Sequence, residues 1–408
     1  MLEDIKKSFY NFTPKHSDFL FESIGEEELR SWKTKNLRFL SSEKFYPPER
    51  EIENTHDDDY EKENQIKIVF TNGVLTLCQL GEFKDQIEIV EEKEKFHLLE
   101  KERHYFQTQV TLADLMNQTY CQKAYEIHIK EGTCIPEPLV IINQNFGSKN
   151  KATAHITRYN FFVGKNSQVS IKEVLVENEK TIQNKKLINH HGNFYLEKDS
   201  SCSFQTINLI KNNRFSVTTN HFFLEKGASL SGLNLITGGK YNRQESKVFH
   251  KGEHSSAELD GLFLAKDEEN LQIISNIYHK AKKTNSHQLC KGLAKGRSNI
   301  SFVGNIKVYQ DASLTDANLL NKNLLLSDTA QVSSEPNLRI DHDDVKCHHG
   351  ATVSQIREEE LTYLQTRGLR KQDAEKILSL AFACELLEKH RCKGIIRNTI
   401  SQFFTDQK

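Results

Sequence analysis

Three stretches of the chain repeat one pattern: FFVGKNSQVSIKEVL (residues 161–175), FYLEKDSSCSFQTINLI (194–210) and FFLEKGASLSGLNLI (222–236). Each begins with an apolar strand, continues through a tight turn of small or polar residues, and ends with a strand in which apolar and polar positions alternate. Equivalent turns recur roughly every 18 to 35 residues, an uneven period that is typical of stacked turns with loops of different length. The pattern predicts a β-solenoid, in which each turn buries side chains in a shared interior.

Short strands of the same kind extend from about residue 120 to residue 345, without a long helical period. A β-sandwich or a propeller would also give many short strands. A propeller should repeat four strands about every 40 to 45 residues, and the sequence shows no such repeat. The pattern therefore favours a mainly β protein built as a solenoid, whose ends need caps.

The chain divides into three regions on this pattern. Residues 1–105 are expected to form an N-terminal helical or mixed region, residues 106–356 the β-helix core, and residues 357–408 a helical C-terminal region that docks a partner. Within the first region, residues 65–80 contain IKIVFTNGVLTLCQL, which predicts two strands joined by an Asn-Gly turn. The charged stretch at residues 88–104 predicts an exposed helix.

The C-terminal region shows two amphipathic helices. The first extends from Glu358 to Arg367 and is followed by Gly368, a typical helix end, and the second extends from Lys371 to Lys389. Their apolar stripes predict two roles for different faces, a cap on the end of the solenoid and a docking surface for another subunit. The residues expected to bind a partner are Leu361, Leu364, Ile377, Leu378 and Phe382.

The charge balance argues against nucleic acid or an anionic membrane as a partner. The 408 residues include 55 Lys+Arg and 56 Asp+Glu, a formal net charge of -1. No run approaches the roughly 18 apolar residues that span a bilayer. The first residues, MLEDIKKSFYNF, lack the pattern of a signal peptide. A cytoplasmic location is therefore expected, or an organellar one for a mature form.

Most cysteines and histidines are expected to be structural. The eight cysteines are scattered without a CxxC pair, which argues against a disulfide framework and a zinc ribbon, and Cys290 is expected in the core or a turn. The sequence TGGKY at residues 237–241 lacks the spacing of a phosphate loop, so ATP binding by this chain is not expected. The other histidine groupings are expected at the surface or in turns: His190 with His191, and His250 with His254.

The segment DDVKCHHGAT (residues 343–352) carries the leading metal-binding pattern. In a strand, residues i and i+2 lie roughly 6 to 7 Å apart on one face, so Cys347 and His349 can reach one metal or sulfur species. Thiolate and imidazole are suitable ligands for iron and zinc, but two ligands cannot close a tetrahedral site. A partner must supply the rest. Val345 shares their face, which leaves a buried core position open for both, and His348 is expected to point the other way.

Four ordered motifs resemble the SufD proteins, subunits of the SUF iron-sulfur cluster assembly complex in the SufB/SufD family. The motifs are LLLSDTA (324–330), SEPNLRI (334–340), DDVKCHHGAT (343–352) and EEELTYLQTRG (358–368). They stand in the order and at the spacing of that family. The resemblance is close over the last quarter of the chain, extends to the middle in general pattern only, and is weak over the first hundred residues.

The resemblance implies a right-handed parallel β-helix flanked by helical regions, acting as a scaffold without turnover chemistry of its own. A SufB-like subunit would pair with this chain through the β-helix cores, and a SufC-like ATPase would bind the C-terminal helices. The family's functional histidine falls on His349, near Cys347, at the junction with SufB. Iron or an iron-sulfur cluster would be held there transiently and shared with SufB. Reduced flavin is expected only at the level of the complex, and a homodimer when the chain is isolated.

Three alternatives remain on the sequence. A SufB-like scaffold usually carries a Glu-His-Glu-Ala-Thr sequence where this chain has CHHGAT at residues 347–352, so the SufD resemblance is favoured. A polysaccharide-acting enzyme on a β-helix would need acidic or calcium-binding residues on one face, and the sequence shows no convincing cluster of that kind. The third alternative is a structural β-helix without a metal role.

Overall fold

The computed structural model describes residues 7–9, 43–48, 66–92, 111–146, 151–177, 185–210, 214–392 and 395–404. The strands in these ranges are β1 (Lys67–Thr71), β2 (Val74–Gln79), β3 (Ile87–Glu91), β4 (Ala124–Ile129), β5 (Leu139–Asn145), β6 (Thr153–Val163), β7 (Gln168–Glu177), β8 (Lys186–Leu196), β9 (Ser201–Ile210), β10 (Arg214–Leu224), β11 (Ser229–Gly238), β12 (Tyr241–His250), β13 (Ser256–Ala265), β14 (Asn270–His279), β15 (Asn285–Ala294), β16 (Asn299–Val308), β17 (Thr315–Leu325), β18 (Gln331–Ile340) and β19 (Val345–Gln355). The helices are α1 (Leu112–Tyr120), α2 (Glu358–Thr366), α3 (Lys371–Lys389) and α4 (Ile395–Phe403).

Successive strands alternate between two sheets. From β4 onward the even-numbered strands pair with one another in sequence order, and the odd-numbered strands from β5 do the same. We call these the even sheet and the odd sheet. Every pairing from β4 to β19 within them is parallel. The predicted parallel β-solenoid is therefore confirmed, with one strand of each turn in each sheet.

The three repeated stretches form successive turns. The tight turn of each contains a residue with positive φ: Asn166 (57°), Asp199 (56°) and Gly227 (69°). Asparagine, aspartate and glycine adopt this left-handed conformation most readily, which explains the small and polar residues at these positions. A Cβ atom on Gly227 would lie 2.1 Å from Oδ1 of Asp199, the end of a half-exposed side chain that can rotate away, so the positive φ is the main reason for glycine there.

Alternating side chains of both sheets fill the interior. Phe161, Phe194 and Phe222 are fully buried and stacked, with ring centroids 5.3 Å and 5.0 Å apart along the even sheet. Phe204 of the odd sheet packs edge-on against Phe194 at 4.7 Å. Because the strands are in register, equivalent residues of neighbouring turns meet, and the apolar column continues from turn to turn.

The N-terminal region contributes strands to both sheets. β1 and β2 form the predicted hairpin across Asn72 and Gly73, β1 pairs in parallel with β5, and β3 pairs in the antiparallel direction with β4. The sheets therefore begin before residue 106. The helix expected over residues 88–104 is wrong for its first residues, because Ile87–Glu91 forms β3, an edge strand in which Ile87 is buried and most other side chains are exposed. Residues 93–104 lie outside the described part of the chain.

The C-terminal helices pack beside the solenoid. Gly368, with φ of 89°, follows α2 as expected. Ala383, Leu386 and Leu387 of α3 join an apolar cluster with the outer face of the odd sheet. The sequence analysis expected a cap on the solenoid end, whereas the contacts of α3 are with β13 and β15 on the side of the odd sheet. Of the described helices, none is long and apolar enough to cross a membrane.

Candidate metal site at the open end of the solenoid

The last turn of the solenoid is open on one side. β18 pairs only with β16, and β19 pairs only with β17, so each is the terminal strand of its sheet. The inward side chains of β17 are mostly buried, whereas the equivalent positions of β18 are half-buried and most of β19 is half-buried or exposed. The interior of the solenoid therefore reaches the surface at this end.

Cys347 and His349 lie on the interior side of β19. β19 pairs with β17 without a register shift, placing Cys347 opposite Ala317 and His349 opposite Leu319. Cys347 is half-buried against the interior apolar cluster together with Val345, and His349 is exposed. The alternation predicted from the sequence places the side chains of Cys347 and His349 on one face of β19, together with that of Val345. His348 is exposed opposite Asn318, on the other face.

The Cys347 thiol is held in its protonated form by its surroundings. Burial raises its pKa above the ordinary value, and the carboxylate of Asp316 raises it further. A hydrogen bond from the backbone N–H of Ala317 opposes these effects. Since a metal binds thiolate, binding at Cys347 would release a proton.

The ligand set at this end is incomplete within one chain. In the described ranges, the single group of three His, Cys, Asp or Glu side chains that could hold a metal lies elsewhere, at Asp114, His191 and His221. Cys347 and His349 therefore lack a third protein ligand from these residues.

The Asp114 group is an ion-pair cluster under α1. Its carboxylate lies 3.2 Å from Nδ1 of His191, 3.8 Å from Nε2 of His221 and 3.3 Å from Nζ of Lys247. The pKa of Asp114 is lowered despite burial, because Lys247 is the largest favourable charge near it. The pKa of Lys247 is raised by Asp114 and Glu245, so the ammonium is charged. An ammonium already supplies the positive charge here, which disfavours a metal ion.

Of the four histidines expected at the surface or in turns, three are buried in strands and one lies in a turn. His190 and His191 lie inside β8 and are buried, as is His250 at the end of β12, so the expectation is wrong for these three. Only His254 lies in an exposed turn. The neighbouring Gly192 belongs to β8, where a Cβ atom would lie 3.0 Å from Oδ1 of Asn220, so this glycine allows close packing and marks no turn. Cys290 is a core residue of β15.

A buried carboxylate in the interior has no sequence signature. Glu173 of β7 accepts hydrogen bonds from the hydroxyl groups of Tyr159 and Thr206 and from the amide of Asn220. Nε2 of His190 lies 2.7 Å from its Oε1, and both side chains are almost fully buried. These partners come from four strands, so no local motif predicts the group.

The five residues expected to bind a partner are unequally exposed. Ile377 is 44% exposed, Leu364, Leu378 and Phe382 are half-buried, and Leu361 is 5% exposed. Tyr363, which the sequence analysis did not single out, is 59% exposed on α2. Tyr363 and Ile377 are the large apolar side chains that α2 and α3 present to solvent.

Two charged residues of the odd sheet attach the C-terminal half of α3. Asp260 of β13 accepts hydrogen bonds from Lys389 at 2.7 Å and from Nε2 of His390 at 2.9 Å. Lys291 of β15 donates to the carbonyl of Phe382 at 2.6 Å and pairs with Glu385. Asp260 and Lys291 are almost fully buried, so these contacts fix where α3 lies on the sheet.

Comparison with known families shows which class of protein the chain belongs to. The family model described as SUF system FeS cluster assembly, SufBD core domain, matches residues 145–382. The chain belongs to this family. The match begins at the end of β5 and ends in α3, so it includes β19 with Cys347 and His349.

Individual relatives carry related names. The iron-sulfur cluster assembly protein SufD of Escherichia coli (strain K12) is 28% identical over 291 residues, which cover 70% of this chain and 67% of the relative. A SufBD family protein of Synechocystis is 48% identical over 84 residues, 21% of this chain and 18% of the relative. The chloroplastic protein ABCI7 of Arabidopsis thaliana is 36% identical over 158 residues, 38% and 33% of the two chains.

Proposed function

We propose that this chain is a SufD-like scaffold subunit for iron-sulfur cluster assembly. The observation that carries the proposal is the position of Cys347 and His349 on the interior face of β19, at the open end of the solenoid. Iron, or a cluster being assembled, is the cargo of such a site. A thiol and an imidazole fit iron as ligands, and their number leaves room for ligands from a partner.

The partner would be a SufB-like solenoid that pairs with the edge of β19. At the two ends of β18, the N–H groups of Gln331 and Asp341 donate to the carbonyls of Ser298 and Val308, so the alternate residues, including Pro336, face the free edge. Proline has no N–H to donate there, which makes this edge a poor template for another strand. By the same alternation, β19 presents the backbone groups of Cys347 and His349 to its free edge.

Pairing with β19 would bring the missing ligands close. A strand added to β19 would lie about 4.8 Å away, within the reach of side chains that face the same interior. Exposed apolar residues surround this end: Leu314 (51%), Ile340 (43%) and Val353 (47%). Apolar side chains left in solvent at an open edge indicate a surface that another protein covers.

The C-terminal helices would bind a SufC-like ATPase. Tyr363 and Ile377 are exposed on α2 and α3, whereas the C-terminal half of α3 is fixed to β13 and β15. A partner on the exposed part could thus move against a firmly attached helix.

Reduced flavin would act at the level of the whole complex, in the cytoplasm. A SufB-like role is the second candidate, which the relative named SufD makes less favoured.

The test has two parts, because the assembly and the metal site can fail separately. Co-expression with candidate SufB-like and SufC-like proteins should give a complex that co-purifies, and its absence would overturn the scaffold proposal. In an intact complex, His349→Ala should lower cluster maturation in cells at least about tenfold, as expected when a metal ligand is lost. His348→Ala is the matched control, since its side chain is exposed on the opposite face. Equal maturation in both variants would overturn the metal role.

A further inference from the structure

Four positively charged side chains form a row on the outer face of the even sheet. Lys251 follows β12, Lys280 follows β14, Lys307 lies in β16 and Arg339 lies in β18. Lys307 is directly opposite Arg339 in the strand pairing. Adjacent strands are about 4.8 Å apart, so the row crosses four neighbouring strands within roughly 15 Å. We call these four residues the basic corner.

Aromatic rings hold two of the ammonium groups in place. Nζ of Lys307 lies 4.2 Å from the ring centroid of Tyr309, and Nζ of Lys280 lies 5.4 Å from the same centroid. Lys280 also lies 5.7 Å from the ring of Phe249. The faces of these rings attract cations and restrict the two flexible side chains. Both ammonium groups are consequently held close together around Tyr309.

Few carboxylates pair with the side chains of the basic corner. Lys251 pairs with Glu225 at 2.7 Å, and Arg339 has Asp341 at 3.8 Å. Across the described ranges, neither Lys280 nor Lys307 has a carboxylate within ion-pair distance. The pKa of Lys280 is lowered by burial, and then by the positive charges of Lys251 and Lys307. The chain has a formal net charge of -1, so this local excess of positive charge is a property of the arrangement.

We propose that the basic corner binds a di- or triphosphate group. Two ammonium groups around one ring, each without a carboxylate, can be neutralised together by a small ligand that carries several negative charges. A single carboxylate would neutralise one of them, whereas the oxygens of a polyphosphate can accept hydrogen bonds from both. Lysine binds phosphate as a point charge without demanding a fixed geometry, which suits side chains held on an open sheet.

Calorimetric titration of the full chain with sodium tripolyphosphate at low ionic strength tests the proposal. Tripolyphosphate should bind, and added salt should weaken the binding because Lys280 and Lys307 are only half-buried. The double variant Lys280→Gln with Lys307→Gln should lower the affinity at least about tenfold, the effect of 1.4 kcal/mol. Lys84→Gln with Lys165→Gln removes the same charge from exposed turns away from the basic corner and should change the affinity less than about twofold.

Further arms distinguish the possible ligands. Equal affinity for ATP and tripolyphosphate would assign binding to the phosphates alone, and tighter binding of ATP would add a contact to the nucleoside; both support the proposal. Tighter binding of poly-glutamate than of tripolyphosphate would overturn it in favour of an acidic peptide. No binding to the wild-type chain, or equal binding to the Lys280/Lys307 double variant, would also overturn it. Unchanged thermal unfolding of both double variants shows that folding is preserved.

Discussion

Glu173 is buried inside the solenoid, and its neighbours surround both of its carboxyl oxygens. Oε1 faces Tyr159 and His190, while Oε2 faces Thr206 and Asn220. A carboxylate can accept from all four, because both of its oxygens are acceptors. The amide of glutamine would turn an N–H group toward two donors. Replacing one carboxylate oxygen of Glu173 by an amide nitrogen therefore tests all four contacts together.

Glu173→Gln should lower the free energy of unfolding by roughly 1 to 3 kcal/mol, the range for leaving buried polar groups without a partner. Urea denaturation of the isolated chain measures the change. Glu131→Gln is the matched control, since Glu131 is exposed in a turn, and it should have almost no effect. Equal stability of the two variants would contradict the assigned role of Glu173.

Buried histidines should make stability depend on pH. Burial lowers the pKa of His250 to about 3 and that of His155 to about 3, and it lowers the pKa of His279 well below its ordinary value. In the unfolded chain histidine has a pKa of about 6.5, so below that pH the unfolded state binds more protons. Stability should be full above about pH 6.5 and fall as the pH is lowered toward 3.

The free energy of unfolding should change by at most about 1.4 kcal/mol per pH unit for each such histidine. Unfolding midpoints in urea between about pH 7 and pH 5 measure the combined slope. His250→Gln removes one titrating group and should flatten the curve in that window. A curve that is unchanged by this variant would show that His250 is not kept neutral in the folded chain.

Side-chain alternation made the candidate site predictable at the scale of the single strand. Cys347, His349 and Val345 share a face because the pairing of β19 has no bulge, and that face follows from the sequence. Whether the face is covered depends on where the helices after β19 pack, so the open end could not be predicted. The wrong expectation for His190 and His191 shows the same limit. The glycine beside them indicated a turn, but the close approach of Phe194, Asn220 and Tyr159 from the fold explains it.

The contact between α3 and the odd sheet depends on charges that the sequence could not pair. Asp260 and His390 lie 130 residues apart. The pKa of Asp260 is lowered despite burial, because His390, Lys389 and the N–H of Leu289 donate to its carboxylate. A helix attached through a buried carboxylate should loosen when that charge is removed.

Asp260→Asn should raise the rate of amide hydrogen exchange in α3 at least about tenfold and leave the sheets unchanged, because loss of one partner of a buried ion pair is strongly destabilising locally. Exchange followed by mass spectrometry resolves the helix from the strands. Glu258→Gln is the control, since Glu258 also pairs with Lys389 but its side chain is 39% exposed. Similar exchange in both variants would contradict the anchoring role of Asp260.

At the scale of the whole molecule, the two terminal strands differ in their capacity to pair. The Val353 N–H faces the free edge of β19, so proline at this position removes a donor and keeps the bonds to β17. Val353→Pro should weaken co-purification of the SufB-like partner at least about tenfold. Ile340→Pro makes the equivalent change on β18 and should have a smaller effect. The reverse order would assign the interface to β18.

The opposite end of the solenoid gives this pairing a consequence for higher assembly. There the odd sheet ends in β2 and the even sheet in β3, and both run antiparallel to their neighbours. A second copy that stacked its β18 and β19 on that end would meet strands running in the wrong direction for a parallel continuation. Within the described residues, only the end with β18 and β19 offers a parallel continuation of the solenoid, which favours a closed pair of two such ends over a fibre.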